Sequence, residues 1–459
     1  MGNKIIFSIK YTMSFLLLML IFFTSSASSA NRPNFIVIFT DDQTYRAIGY
    51  NNPDVKTPHL DKLASEGLIF NRAYVASPIC AASRASMMTG VFPQQHGVIA
   101  LATEQFNQYK TGGAVTEQTL PNQLRQAGYR CGFWGKSHLG DPRAYGFSEG
   151  AELRDYSDTE AFAKAHAFLT EAAADSNPFF LWLAPRQPHL PLKPTQEWLD
   201  LYDEKDLMLD ANFRETPLSE SINNQGVPGE SYYRDSNYID NWQHLPAGPP
   251  REGSIIRLFM KAYYAVISHM DDQVGQLVEH LKAVGLDSNT VIIFLSDNGY
   301  HLGNHGLGNK ITMHEESVRV PMFIHWTGLR AKGMKSDALV SSLDVYPTLL
   351  QLAGIELPEH LMGSSLVPLL ENPQAPFREI VFSECTGVNG KPGDGHRMAR
   401  GHDWKYVLSD VDEEYYFDEL SDPWELSNLF ESQDSDTNAV LRELQQALTD
   451  WMEEIGDRK

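Results

Sequence analysis

Cysteine is almost missing from this chain. Cys80, Cys131 and Cys385 are the only three in 459 residues, too few for a disulfide framework, so the fold must be held by its core. Cys131 sits in the apolar run YRCGFW and reads as a buried, inert thiol. Cys385 ends the strand-like VFSEC, and nothing favours a bridge between the two. Basic residues are scarce as well: 37 Lys and Arg stand against 59 Asp and Glu, a formal net charge of -22. That excludes general nucleic-acid binding and repels polyanions at long range, so an anionic substrate needs a local basic pocket. Beyond residue 30 no apolar run is long enough to cross a membrane, and there is no internal repeat or long low-complexity segment.

With 42% hydrophobic and 21% charged residues, the composition suits a compact globular protein. Residues 1–30 read as a signal peptide: Lys4 and Lys10 form a positive start, residues 13–23 a short apolar stretch, and Ser28 and Ala30 supply small residues for cleavage. The expectation is export to the periplasm or medium, with no membrane attachment after cleavage. An uncleaved anchor is the alternative.

Residues 34–39, NFIVIF, are an unbroken apolar run ending in Asp41-Asp42, the pattern of a strand covered on both faces. Residues 129–134, 179–184, 291–295 and 320–325 repeat that type. A helix is predicted over residues 57–67, with Thr57 as N-cap and Pro58 in the first turn. A long amphipathic helix is predicted over 255–284. Strands alternating with helices imply an α/β fold with a mostly parallel central sheet flanked by helices. From residue 376 to 459, short strands at 379–385, 404–408 and 414–417 and a last helix at 437–454 suggest a smaller C-terminal α+β subdomain with a short antiparallel sheet. Residues 31–375 form the main domain. Between 203 and 253 lies a polar stretch whose Tyr232, Tyr233, Tyr238 and Trp242 either stack on sugar rings or pack the loop itself.

Two acidic pairs, Asp41-Asp42 and Asp297-Asn298, follow apolar strands. In open α/β sheets ligands bind outside the carboxyl ends of strands, and an oxygen-only set of this kind suits Ca²⁺ or Mg²⁺. Cys80 opens a short helical run with Arg84 one turn later, which by itself reads either as a low-pKa cysteine beside a bound oxyanion or as a buried thiol and a surface arginine.

The segment Cys80-Ala81-Ala82-Ser83-Arg84, followed by Thr89-Gly90, resembles the type I sulfatase signature, Cys-x-Pro/Ala-x-Arg with a trailing Thr-Gly. Further elements follow in the family's order: Asp41-Asp42; Gly135-Lys136-Ser137-His138-Leu139-Gly140, with Ser137 replacing the usual Trp; Pro188-His189-Leu190-Pro191; Asp297-Asn298-Gly299; Gly308-Asn309-Lys310; and Glu315-Glu316-Ser317-Val318-Arg319-Val320-Pro321, with His314 where Tyr is usual. Asp403-Trp404-Lys405-Tyr406 and Asp422-Pro423-Trp424-Glu425 resemble the C-terminal part. The two departures touch packing or pocket shape more than chemistry.

The resemblance implies an alkaline phosphatase-like fold and a sulfuric ester hydrolase whose Cys80 is oxidised to formylglycine (3-oxoalanine) by a formylglycine-generating or anaerobic sulfatase-maturing enzyme. It implies Ca²⁺ (Mg²⁺ as second choice) held by Asp41, Asp42, the residue at position 80, Asp297 and Asn298. It makes Cys80, Arg84, Lys136, His138, His189 and Lys310 the catalytic set, and a sulfated carbohydrate the expected substrate. His96, His301, His305, His396 and Arg397 are candidate substrate contacts, each with a structural reading beside it. The alternatives are a phosphodiesterase or phosphonate monoester hydrolase on the same scaffold, and an inactive sugar-binding homologue.

Overall fold

The computed structural model describes residues 32–99, 118–216, 252–386, 395–411, 413–432 and 435–457. The expected signal segment and Tyr232, Tyr233, Tyr238 and Trp242 lie outside the described residues.

The described residues build fourteen strands: β1 (Asn34–Thr40), β2 (Leu68–Tyr74), β3 (Arg130–Gly135), β4 (Glu149–Glu152), β5 (Phe179–Ala184), β6 (Thr290–Ser296), β7 (His301–Leu302), β8 (Gly308–Asn309), β9 (Met322–His325), β10 (Met334–Ser341), β11 (Val381–Thr386), β12 (Gly395–Arg400), β13 (Trp404–Ser409) and β14 (Tyr415–Asp418). Eight of them form one sheet in the order β10-β2-β9-β6-β1-β5-β3-β4, β11 to β14 form an antiparallel sheet of their own, and β7 and β8 pair as a small ribbon. Apart from β9, which runs antiparallel to both β2 and β6, the large sheet is parallel.

β1 shows how the layers arise. Its side chains alternate, so Phe35, Val37 and Phe39 enter one apolar layer and Ile36 and Ile38 the other, all of them buried. Each such side chain contributes about 1.5–3 kcal/mol when fully buried. The second layer is closed by the long helix Gly253–Ala283, which buries Ile256, Phe259, Met260, Tyr263, Ile267 and Met270. A third cluster packs the small sheet against the last helix, Ser435–Ile455, through Tyr406, Tyr416, Leu444 and Trp451. No helix among the described residues is long and apolar enough to cross a membrane.

Several local expectations need correcting. Residues 320–325 give an antiparallel strand, because an apolar run reports burial and not direction. Thr57 does not cap helix α1 (Pro58–Ser65): its hydroxyl accepts from Gly49 N–H at 2.7 Å and donates to Asp61 at 3.0 Å. Asp271 of the long helix caps it instead, accepting from the N–H groups of His59 and Leu60 at 3.1 and 2.7 Å. β2, β4, β7, β8, β10 and β12 fall outside the strands that the sequence pattern predicts. β12, GHRMAR, reads as polar, yet all six residues are buried, its two arginines held in ion pairs.

Candidate active site

β1 and β6 are neighbours in register, with Thr40 opposite Ser296 at their carboxyl ends. The residues that follow are therefore delivered to one spot. Asp297 N–H donates to Thr40 O at 3.0 Å, Asp42 N–H to Asp297 Oδ1 at 3.1 Å, and Asn298 Nδ2 to Asp42 Oδ1 at 2.8 Å. Asp41, Asp42, Asp297 and Asn298 are all closed to solvent.

Helix α2 (Cys80–Thr89) starts at this cluster, with no side chain capping its N-terminus, and stops at Gly90 in the left-handed conformation. Cys80 Sγ lies 3.6 Å from Asp42 Oδ1 and accepts from Lys310 Nζ at 2.7 Å. Arg84, one turn on, is 2% exposed; it reaches Asp297 Oδ2 at 2.7 Å and Asp41 Oδ1 at 3.5 Å, and donates to Lys136 O at 2.8 Å. Lys136, immediately after β3, meets Asp41 Oδ2 at 2.5 Å, and Lys310 also pairs with Asp42. His189, in the loop after β5, stands at the rim with Nε2 3.8 Å from Asp42 Oδ2. Its Nδ1 faces Leu190 O at 2.5 Å and so carries a proton, which leaves Nε2 turned toward the cluster.

The electrostatics follow from this crowding. Burial alone would push Asp41 and Asp42 up; for Asp41 Lys136, the His189 ring when protonated, Arg84 and Lys310 outweigh it, and for Asp42 Lys310, His189 when protonated, and Lys136, so both lie below the usual carboxylate range. At Asp297 burial wins over Arg84, and its pKa rises to about 7. Burial lowers His189 to about 4 and His138 to about 2, with Lys136 adding to both. Burial also pushes the Cys80 thiol well up, against Lys136 and Lys310. Of the two sequence readings of this segment, the burial of Cys80 favours the buried thiol, while Arg84 is enclosed and not at the surface.

The donors fit a hard divalent cation. Asn298 Oδ1 is buried, and no donor among the described residues reaches it. Ligand atoms of Asp41, Asp42, Cys80 and His189 lie within 4.8 Å of one another. Carboxylate and amide oxygens gathered in this way suit Ca²⁺ or Mg²⁺.

All six residues expected to be catalytic thus gather at the carboxyl edge of the sheet. For His138, the charges of Lys136, Asp41, Arg84 and Lys310 all act on its ring, and its buried Nδ1 has no hydrogen-bond partner among the described residues. The five expected substrate contacts are internal instead. His96 bonds Ser86 Oγ at 2.9 Å and accepts from Val98 N–H at 3.1 Å. His301 meets Thr312 Oγ1 at 2.8 Å, and His305 lies 3.1 Å from Asn212 Nδ2 and 3.6 Å from Glu316, both rings fully buried. His396 is buried in β12 opposite Cys385. Arg397 is 0% exposed and bonded to Asp457 at 2.6 Å and to Asp410. Arg397 is a structural cation, since a guanidinium closed to solvent and engaged by two carboxylates has nothing left to offer a sugar. Sequence reasoning missed Tyr263, whose hydroxyl donates to Asp42 O at 2.5 Å and accepts from Thr44 N–H at 3.2 Å. It looks like any apolar-face residue of its helix.

The family model described as Sulfatase matches residues 33–355, more than half of the chain and the whole of this site. The chain belongs to the sulfatase family. A second model, N-sulphoglucosamine sulphohydrolase, C-terminal, matches residues 303–454. This sulfatase is 26% identical to an ulvan-active sulfatase of Formosa agariphila, over 93% of this chain and 82% of that protein. It is 27% identical to an N-acetylglucosamine-6-O-sulfatase of Bacteroides thetaiotaomicron, over 88% and 85%. A solved structure in complex with its substrate D-glucosamine-2-N,6-O-disulfate superposes with a TM-score of 0.78 at 25% identity, covering 93% of this chain and 99% of that one. The phosphonate monoester hydrolase of Agrobacterium radiobacter shares the fold, with a TM-score of 0.76 at 20% identity over 92% and 96%. The sulfatase is a sulfuric ester hydrolase by family.

Proposed function

We propose that this sulfatase removes sulfate from a sulfated carbohydrate, with a formylglycine made from Cys80 and a Ca²⁺ held by Asp41, Asp42, Asp297 and Asn298. The observation that carries the reading is the place of Cys80: buried at the open start of α2, 2.7 Å from Lys310 Nζ and 3.6 Å from Asp42 Oδ1. A thiol raised by burial is a poor nucleophile as it stands, which supports conversion over plain cysteine chemistry. When present, the hydrated aldehyde supplies an oxygen nucleophile and the cation supplies positive charge for the sulfate.

The chain's own residues do the rest. Lys310 and His189 bind the sulfate oxygens, and His189, at the rim with Nε2 toward the cluster, donates to the leaving sugar oxygen in its imidazolium form, which the charge of a bound sulfate favours. Arg84 and Lys136 fix the carboxylates and the residue at position 80. His138 takes a proton from position 80 when sulfate departs. The relatives that act on ulvan and on an N-acetylglucosamine sulfate support a carbohydrate substrate. Export by residues 1–30 would place the sulfatase where such polymers are met.

The test is the mass of the tryptic peptide spanning residues 73–84, from protein made in a host that matures such sites. Loss of the thiol and gain of an aldehyde, with sulfate release that Cys80→Ala abolishes without unfolding, is the expected result. Full activity in Cys80→Ala would overturn the mechanism. Faster turnover of an aryl phosphonate than of any sulfate ester would favour the phosphonate hydrolase reading.

A further inference from the structure

Asp158 stands directly before the helix Thr159–Ala172, in the position where an aspartate ordinarily accepts a hydrogen bond from its own helix. It makes none there. Asp155 takes that part, its Oδ2 accepting from Glu160 N–H at 3.1 Å and its Oδ1 from Ser157 N–H at 3.0 Å. Asp158 sends its carboxylate to the loop after β5 instead. Oδ1 accepts from Arg186 N–H at 2.7 Å and Oδ2 from Gln187 N–H at 2.9 Å. The residue is 1% exposed, and its φ of 58° lies in the left-handed region, which aspartate enters more readily than most residues but still at some cost.

Those two N–H groups belong to the turn that carries His189. His189 N–H donates to Arg186 O at 2.7 Å, closing the turn, and Asp41 N–H approaches Gln187 O at 3.4 Å. The Arg186 side chain extends the frame, with Nε on Leu153 O at 2.9 Å and the guanidinium 5.4 Å from the Tyr156 ring. A single buried carboxylate therefore pins the two residues that precede Pro188-His189, and through them the distance of the imidazole from Asp42.

We propose that Asp158 is a positioning residue for this reaction, aligning His189 for proton delivery to the leaving oxygen. The inference rests on the role given to His189 above. Its physical basis is that proton transfer tolerates little displacement: a shift of ~1 Å can cost ~100-fold.

The matured, Ca²⁺-loaded enzyme is compared on two substrates, a sulfated sugar whose leaving oxygen needs a proton and 4-nitrophenyl sulfate, whose leaving group does not. Asp158→Asn turns one acceptor into a donor facing an N–H. It is expected to lower kcat on the sugar ~10- to 100-fold with KM within ~3-fold, and kcat on the aryl sulfate by less than ~3-fold. Amide exchange in peptides covering 185–190 should quicken with or without Ca²⁺. Asp155→Asn, which loosens the helix start alone, should lower Tm without either effect. Equal losses on both substrates, or the same selectivity in Asp155→Asn, would overturn the proposal. His189→Ala is measured in parallel. If it shows no leaving-group selectivity, the role of His189 fails, while the exchange data still decide whether Asp158 holds the turn. Should Asp158→Asn not fold, Asp158→Ser, which keeps one acceptor, carries the same comparison.

Discussion

Arg84 touches Asp297, Asp41 and the carbonyl of Lys136 from a side chain that is 2% exposed. The planar fork spreads its donors over separate nitrogens and so reaches acceptors several ångströms apart, which the single nitrogen of an ammonium cannot span in the same way. Arg84→Ala leaves the buried Asp297 without its cation, while Asp41 keeps Lys136, and should cost about 3–5 kcal/mol in urea unfolding, with Arg84→Lys recovering only part of it. Divalent-ion removal reads the same cluster from the other side. If Ca²⁺ at about 100-fold above its Kd binds only the folded state, it adds about 2.7 kcal/mol. Chelation should accordingly lower Tm and stop turnover, and calcium should restore both; an unchanged Tm in chelator would count against a cation among these oxygens. Most of these residues were legible in the sequence because the chemistry needs fixed residue types in a fixed order. Asp158 and Tyr263 were not, because each acts through partners far away in the chain.

At the scale of elements, the site is a product of strand ends held in register. Gly135, the last residue of β3, has φ 120°, and a Cβ there would lie 2.0 Å from the Ala184 carbonyl oxygen, the same oxygen that accepts from Lys136 N–H at 2.8 Å. Gly135→Ala should therefore push β3 from β5, displace Lys136 and cost on the order of 3 kcal/mol, read as a fall in both Tm and kcat. A variant with wild-type kcat would show that the β3–β5 contact does not set the lysine. Element type was readable wherever burial imposed a pattern: β1, β5, β6 and the long helix fall where the apolar periodicity put them. Strand direction at β9 and the existence of β12 were not readable, since neither an antiparallel partner nor an internal counter-charge leaves a mark on hydropathy.

Over the whole molecule, the small sheet is tied to the catalytic loops by a buried ionic junction. Lys405 of β13 is 0% exposed and lies 2.6 Å from Glu425, 2.8 Å from Glu315 and 3.2 Å from Glu419, and it donates to Met313 O at 3.1 Å. Lys405→Met would leave Glu425 without its cation, Glu315 and Glu419 keeping Arg400, and should destabilise by about 3–5 kcal/mol, with loss of activity from a distance because Met313 and Glu315 follow Lys310 closely. Acid should act on the whole fold as well. Burial lowers His96 to about 3 and His301 to about 4, so both are neutral when folded and take a proton when unfolded. Neither affects stability above the unfolded value near 6.5. As pH falls from about 6.5 toward 3 the unfolded state gains protons that the folded state refuses, and stability drops. Tm measured against pH should decline over that window, and less steeply in His96→Asn; an identical slope would remove His96 from the account.

The sequence by itself determined the family, the α/β class and the residues gathered at the strand ends, because sulfate-ester chemistry and a twice-covered sheet restrict which residue types can stand where. Only the tertiary structure showed which of the remaining polar residues are enclosed by the fold. His96, His301, His305, His396 and Arg397 have the side chains a sugar sulfate would want, but their burial and their partners commit them to the interior. That distinction depends on what lies across space from each atom, as with the carboxylates that engage Arg397 from Asp410 and Asp457. Such pairings are set by how the layers dock and not by spacing along the chain.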